Sequence, residues 1–187
     1  MKKQILVFAL LLSFGAVSVS AQEHTQTQEQ QAITQHKVEV QFQEKLAGLY
    51  TSSLPLTEAF VASDSYAVKK QLAPLKEAME AVDMRLLKGQ AHADWMMYAK
   101  AMLNSITAMN KSQTIADQRK AYAQFSEKLY QSIKAFGINH TEAYYQHCPM
   151  ALGNKGAFWL SDKKEIQNPY FGKAMLKCGR TKEKIGQ

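Results

Sequence analysis

The sequence predicts an all-α fold: an antiparallel four-helix bundle with an irregular C-terminal segment, rich in Gly and Pro, packed on it. Apolar residues recur at three- and four-residue steps through most of residues 37–137, the period of helices with one buried face. Short stretches of capping and turn residues separate the periodic runs, which is typical of helices that pack against their chain neighbours. No convincing strand pattern or internal repeat competes with this period.

Residues 1–21 have the pattern of a secretory signal peptide. Two lysines precede an apolar run over residues 5–16, and small residues ending at Ala21 form the cleavage pattern. The apolar run is too short to cross a bilayer comfortably, since a span needs roughly 20 apolar residues. We therefore expect a soluble protein exported to a bacterial periplasm, with residues 22–36, rich in Gln, Thr and Glu, as a flexible leader.

The formal net charge of +7 is spread along the chain and includes a basic tail at residues 180–187. A basic protein can bind nucleic acid or anionic lipid when its charges form a stripe or patch. Here the charges are scattered, and export removes the protein from nucleic acid. The charge therefore indicates a solvated surface, and we expect neither a nucleic-acid partner nor a membrane span.

The first two helices are predicted over residues 38–60 and 65–86. Pro55 and Pro74 fall inside them, and each predicts a kink or an interruption because proline lacks the N–H group and crowds the preceding turn. Ser63 or Ser65 is the expected N-cap of the second helix. The predicted core positions are Val38, Phe42, Leu46, Leu49, Tyr50 and Leu54, then Val68, Leu72, Leu75, Met79, Val82 and Leu86.

Two further helices are predicted between Gly89 and Gly137. The third ends near Asn110, and Thr114 with Asp117 has the spacing of a capping box that opens the fourth. Gly137 followed by an apolar residue is typical of a helix C-terminus. The predicted core positions are Trp95, Tyr98, Met102, Ile106 and Met109, then Ile115, Tyr122, Phe125, Leu129, Ile133 and Phe136.

The segment after the bundle, residues 138–179, has frequent structure-breaking residues and both cysteines of the chain. Residues 140–146 are predicted to form a short helix that delivers Cys148, and residues 174–178 a last helical turn. Between them, prolines and glycines interrupt regular structure repeatedly. We therefore expect this segment to be irregular.

Each cysteine has a methionine close by, which gives Cys148-Pro-Met150 and Met175-Leu-Lys-Cys178. Extended backbone places Cys148 and Met150 on one side, and a helical turn places Met175 and Cys178 on one face. Thiolates and thioethers are soft ligands that favour Cu(I). His147 adds a nitrogen donor. The sequence thus predicts a Cu(I) site. Zn(II) ranks below Cu(I) because thioether is not a usual zinc ligand, and Ag(I) is also ranked below Cu(I).

The same two cysteines also fit a disulfide, which is the commoner state of paired cysteines in exported proteins. Closing a loop of about 30 residues stabilises the folded state by about 3–4 kcal/mol in the loop-entropy model. A free reactive thiol is a third alternative, but no local signature supplies the base that it needs. No C-x-x-C pair is present, so thioredoxin-like chemistry is excluded and no enzymatic activity is expected.

Methionines elsewhere have a simpler interpretation. Met79, Met102 and Met109 lie on predicted buried faces, where methionine commonly fills a core. Met96 and Met97, beside Trp95, have a second interpretation as part of a copper path, if their end of the third helix lies against the C-terminal segment.

Several motifs in the last third of the chain carry a family resemblance. They are Tyr144-Tyr145 before Cys148-Pro-Met-Ala, then Gly-Ala-Phe-Trp-Leu-Ser at residues 156–161, Asn-Pro-Tyr-Phe-Gly at residues 168–172, and Met175-Leu-x-Cys178-Gly. Together, over roughly residues 38–179, they resemble the DUF3347 family. This is an exported domain of Bacteroidetes type and unknown function, also found at the C-terminus of periplasmic adaptor subunits of heavy-metal efflux pumps.

The resemblance implies a helical periplasmic domain associated with copper or heavy-metal handling, with Cys148, Met150, Met175 and Cys178 as metal ligands. The chain has no room for the other parts of an adaptor, so any contact with a pump has to be made in trans. The leading expectation is a metal-binding protein that sequesters Cu(I) or passes it to an efflux adaptor. The alternative is a disulfide-stabilised interaction module that binds no metal.

Overall fold

The computed structural model describes residues 32–186. The predicted signal peptide and most of the predicted leader lie outside this range. None of the helices within it is long and apolar enough to cross a membrane.

Four long helices form the body of the protein: α1 (Val40–Ala62), α2 (Ser65–Glu80), α3 (Gly89–Lys111) and α4 (Ile115–Phe136). Each helix packs against the next along the chain, and α1 also packs against α4. Because short connections join neighbouring helices, successive helices reverse direction. The prediction of four long helices is confirmed.

The core of the bundle follows the predicted apolar positions closely. An aromatic cluster fills one end: the ring of Phe42 lies 5.4 Å from that of Trp95 and 5.1 Å from that of Phe136, both edge-on. Such aromatic pairs contribute about 0.5–1.5 kcal/mol beyond the area that they bury. Buried predicted positions include Leu46, Leu49, Tyr50, Val68, Leu72, Leu75, Met102, Ile106, Met109, Tyr122, Phe125, Leu129 and Ile133.

Local signals at the helix ends are partly as predicted. Thr114 caps α4 by accepting a hydrogen bond from the Asp117 N–H, and Gly137 ends that helix with φ +77°. The predicted serine cap of α2 is wrong, because the Asp64 carboxylate accepts from the two N–H groups that a cap must satisfy. Interruption at Pro55 is also wrong, since α1 continues past it to Ala62.

The C-terminal segment contains a three-stranded antiparallel sheet, so the fold is mostly helical rather than all-α. Its strands are β1 (Ala143–Cys148), β2 (Ala157–Ser161) and β3 (Arg180–Ile185), in the order β2-β1-β3. The predicted helix at residues 140–146 is therefore wrong, and the predicted basic tail is largely an edge strand. A short turn, α5 (Ala151–Asn154), lies between β1 and β2, and Leu152, Gly153 and Asn154 within it have positive φ.

The sheet packs against α4 through a column of aromatic rings. Tyr145 of β1 stacks on Tyr130 of α4 with ring centres 3.6 Å apart, and on Phe158 of β2 at 4.7 Å. The Tyr145 hydroxyl donates to the Glu127 carboxylate at 2.6 Å. These contacts hold the central strand, and therefore Cys148 at its end, against the bundle.

The last residues of the predicted leader lie along the bundle. The His36 N–H donates to the Ala135 carbonyl at 2.7 Å. Its ring stacks on Phe136 and its Nε2 contacts the Asp94 carboxylate at 2.7 Å. Residue 36 is thus an anchored start of the domain.

Candidate functional site

The sheet and the final turn bring the two cysteines together. Cys148 ends β1 opposite Ala157 and is fully buried. Cys178 follows a 3-10 turn (Gly172–Met175) and is half-buried, with its N–H donating to the Met175 carbonyl at 3.0 Å. The two Sγ atoms are 2.9 Å apart, and both cysteines are free thiols here. Sulfur atoms 30 residues apart in sequence therefore face each other.

Gly179 makes this approach possible. Its φ of +138° is one that other residues rarely adopt. A Cβ atom here would lie 2.8 Å from the His147 carbonyl oxygen and 2.9 Å from the Trp159 ring. A side chain at this position would push the Cys178 backbone away from β1.

We predict that Gly179→Ala lowers the free energy of unfolding by about 2 kcal/mol, because overpacking against backbone and a buried ring is not relieved by small shifts. Denaturant unfolding measures this. Gly48→Ala is the matched control, since Gly48 lies within α1 with nothing near its Cβ position. Alanine there should stabilise by about 0.5–1 kcal/mol. Equal effects at the two sites would contradict the close-approach explanation.

Asn168 organises the turn that carries Cys178. This side chain is fully buried. Its Nδ2 donates to the Cys178 carbonyl at 2.7 Å, and its Oδ1 accepts from the N–H groups of Tyr170 at 2.7 Å and Phe171 at 3.2 Å. One amide thus satisfies three backbone groups of the turn, of which the Tyr170 N–H is buried and the other two are partly buried.

The same turn is attached to the helices by Arg119 of α4. Its Nε donates to the Pro169 carbonyl at 2.8 Å, and its Nη2 donates to the Ser63 hydroxyl at 2.8 Å. Partial burial lowers the pKa of this guanidinium. The Tyr170 hydroxyl donates to the Phe158 carbonyl, which ties the turn to β2 as well. Cys178 is therefore positioned by both the bundle and the sheet.

His147 does not join the cysteine pair. Consecutive strand residues point to opposite faces of a sheet, and the His147 ring packs on Phe158 with centres 4.2 Å apart. Its Nδ1 is buried without a hydrogen-bond partner among the described residues. Burial, with Lys182 and Arg180 nearby, lowers the pKa of His147.

The two methionines differ from the cysteines in exposure. Met150 precedes α5 on the surface with 45% of its side chain exposed. Met175 is half-buried at the end of the 3-10 turn. Within residues 32–186, no three side chains among His, Cys, Asp and Glu come together in a way that could hold a metal ion. The structure thus assembles two sulfur donors and leaves one thioether largely in solvent.

The electrostatics of the pair restrict its chemistry. The hydrogen bond with Cys148 is the largest cause of a raised pKa for Cys178. Burial of Cys178 and electrostatic repulsion between the two sulfur groups raise the pKa of Cys178 further. Two thiolates 2.9 Å apart repel strongly. Either an S–S bond or a shared cation removes this repulsion. The arrangement is therefore suited to disulfide formation or to binding one soft ion.

Met96 belongs to a different part of the molecule. It lines a cavity between α1, α2 and α3, and no residue after Asn104 contributes to that lining. The condition for the predicted copper path, contact between this end of α3 and the C-terminal segment, is not met at this cavity.

Sequence reasoning missed Asn168, Arg119 and Gly179 as site residues. Asn-Pro at residues 168–169 signals a turn, but nothing local shows that the amide bonds to a residue ten positions away. Arg119 has no sequence signal, because its partners come from two distant segments. Glycine after Cys178 is the one cue that would have suggested a close backbone approach.

The fold and the site define a helical-bundle protein with a small C-terminal sheet and a cysteine pair where the sheet meets its closing turn. The chain belongs to the DUF3347 family, described as a protein of unknown function, whose sequence profile matches residues 49–141. No match is found among curated proteins or among solved structures. The matched range covers most of the bundle and ends before Cys148, so family membership rests on the helices.

Proposed function

We propose that the protein is an exported binding module without bond-making chemistry, in which a Cys148–Cys178 disulfide fixes the C-terminal turn to the sheet. The observation that carries the proposal is the 2.9 Å separation of the two Sγ atoms, one cysteine buried and the other half-buried. Sulfur atoms that already face each other need only a small movement to reach the bond length of about 2.05 Å.

Export supports the disulfide, because paired thiols persist as disulfides in oxidising compartments. The signal-peptide pattern of residues 1–21 is the reason to propose a periplasmic location. In this proposal the disulfide-linked sheet and the bundle form one rigid body. A partner protein docks on the surface of that body. A periplasmic efflux adaptor, contacted in trans, is the partner suggested by the resemblance.

A second candidate function is the binding of a soft metal ion by the reduced pair. Convergence of two thiols, one of them reachable from solvent, is the specific observation that favours it. Met175, three residues before Cys178 and half-buried, is the thioether that offers a third donor. Met150, which is exposed, and His147, whose ring packs on Phe158, have no role in this version. Cu(I) is the proposed cargo, with Ag(I) and Zn(II) as weaker competitors.

Thiol counting separates the two candidates. We predict that protein isolated from the periplasm without reductant has no titratable thiol in denaturant, and two after reduction. A peptide map should then show residues 148 and 178 linked. Two free thiols in the isolated protein would contradict the disulfide proposal.

Anaerobic Cu(I) titration of reduced protein tests the second candidate. For a cysteine pair assisted by one thioether, we expect one bound ion and a sulfur charge-transfer band. Met175→Ala should weaken this band, and Met150→Ala should leave it unchanged. Cys178→Ser is the control that should abolish binding. Equal losses from the two methionine variants would instead support the four-sulfur site, and no binding would remove the metal hypothesis.

A further inference from the structure

A large cavity lies among the helices, and none of its lining residues belongs to the C-terminal segment that carries the cysteine pair. It has a volume of about 880 Å³ and opens between the first half of α1, the end of α2, a 3-10 turn (Met84–Leu86) and α3. This volume is within the range of about 300–1,000 Å³ that small-molecule sites occupy. The cavity lies where the α1–α2 pair faces α3.

The inner surface of this cavity is apolar. Met79, Val82 and Trp95 form buried parts of the lining, while Met84 and Met96 are each 43% exposed beside them. Large apolar side chains clustered in a concavity indicate a binding site far better than apolar residues scattered singly. Methionine side chains adapt to the shape of an apolar ligand, so this lining favours a flexible hydrocarbon chain.

Two exposed lysines are among the lining residues of the cavity. Lys45 on α1 and Lys100 on α3 are exposed lining residues, and neither makes an ion pair or side-chain hydrogen bond within residues 32–186. The negative groups nearby are already engaged: Asp83 pairs with Arg85 at 2.8 Å, and Glu80 pairs with Lys76 at 3.6 Å. The two lysines are therefore the charges available to a ligand.

We propose that this cavity binds an anionic amphiphile with a single long hydrocarbon chain and a carboxylate head, that is, a fatty acid. In this proposal the hydrocarbon chain of the ligand packs against Met84, Met96 and Trp95. The carboxylate of the ligand lies between Lys45 and Lys100. The same lysines repel a positively charged head group. This site goes beyond the proposed function and does not depend on the state of the cysteines.

Tryptophan fluorescence and calorimetry test the proposal. Trp95 lines the cavity, whereas Trp159 is fully buried next to the cysteine segment and its indole N–H has no acceptor in the described chain. Trp159→Phe therefore loses no hydrogen bond and leaves Trp95 as the only reporter. Dodecanoate, kept below its micelle-forming concentration, should change Trp95 emission saturably, and wild-type protein should give the same affinity by calorimetry, whether oxidised or reduced.

Charge variants provide the specificity test. Lys45→Glu with Lys100→Glu should weaken dodecanoate binding about tenfold, since each exposed ion pair changes affinity by a few-fold, and should leave dodecanol binding unchanged. Lys70→Glu with Lys111→Glu is the matched control, because both are exposed outside the cavity. Met84→Ser with Met96→Ser changes two exposed side chains and preserves the core. This double variant should weaken the binding of both dodecanoate and dodecanol.

Three results would overturn the proposal: no saturable binding of dodecanoate, equal binding of dodecyltrimethylammonium and dodecanoate, or the same loss in the control lysine pair as in the cavity pair. Each is independent of thiol counting, so failure of this site and failure of the disulfide are distinguishable.

Discussion

Replacing Cys178 by alanine is expected to lower the free energy of unfolding of the oxidised protein by about 3–4 kcal/mol. The bond would close a loop between residues 30 positions apart, and the loop-entropy model gives that magnitude for the loss of chain freedom in the unfolded state. Cys178 is the better residue to change, because Cys148 is fully buried and its replacement would add a cavity cost. Urea unfolding at neutral pH measures the difference.

The control is the same pair of proteins in excess reductant. There the wild type should lose nearly all of its advantage, because the remaining difference is only the packing of one half-buried side chain. A difference that persists unchanged in reductant would mean that packing, and not a covalent bond, accounts for it. Identical unfolding of oxidised wild type and Cys178→Ala would show that no stabilising bond forms.

The bundle was predictable because its signals are local. Each long helix buries one face, so the apolar period marks it, and a cap such as Thr114 is readable from a residue three positions away. The cap of α2 shows where such signals fall short. Residues 63–65 are Ser-Asp-Ser, all three of a type that can cap a helix, and only the backbone geometry selects Asp64. Helix identity follows from the pattern, while helix ends depend on details of one turn.

The sheet was missed because its signals are not local. Most of β1 is covered by the bundle and by its neighbours, so its buried residues do not alternate with exposed ones. The irregularity in its pairing lies in β3, where Lys182 is the extra residue opposite Tyr145 and Gln146. The residues of β3 are mostly polar and exposed, so the sequence gives little sign of a strand, and the strand forms by pairing with β1 some 35 residues earlier. Such pairing is set by tertiary contacts and not by propensity.

The candidate site was predictable in composition but not in geometry. The pairing of the cysteines follows from their being the only two in the chain. The positions of the other donors do not follow, because assigning residues 140–146 to a helix hides the fact that His147 and Cys148 face opposite ways in a strand. Met150 lies beyond the strand end, where the chain turns into α5, and there alternation no longer applies.

Asn168→Ala is expected to lower the free energy of unfolding by about 3–5 kcal/mol, the largest effect that we predict for a single side chain. The substitution removes the partner of three backbone groups at once: the N–H groups of Tyr170 and Phe171 and the carbonyl of Cys178. A buried group left unpaired costs about 1–3 kcal/mol, and the two partly buried groups add smaller amounts to the cost of the buried Tyr170 N–H. Asn110→Ala, at an exposed site on α3, should change stability by less than about 0.5 kcal/mol.

The same variant also tests whether Asn168 positions Cys178 or only stabilises the fold. In reduced protein, under native conditions, the loss of the hydrogen bond to the Cys178 carbonyl should free the turn and speed alkylation of that thiol. Global unfolding would expose both cysteines, whereas local release of the turn exposes Cys178 and leaves Cys148, held in the central strand, protected. Mass spectrometry of the singly alkylated product therefore separates the two effects. Equal labelling of both thiols would show that Asn168 contributes to stability without positioning the pair.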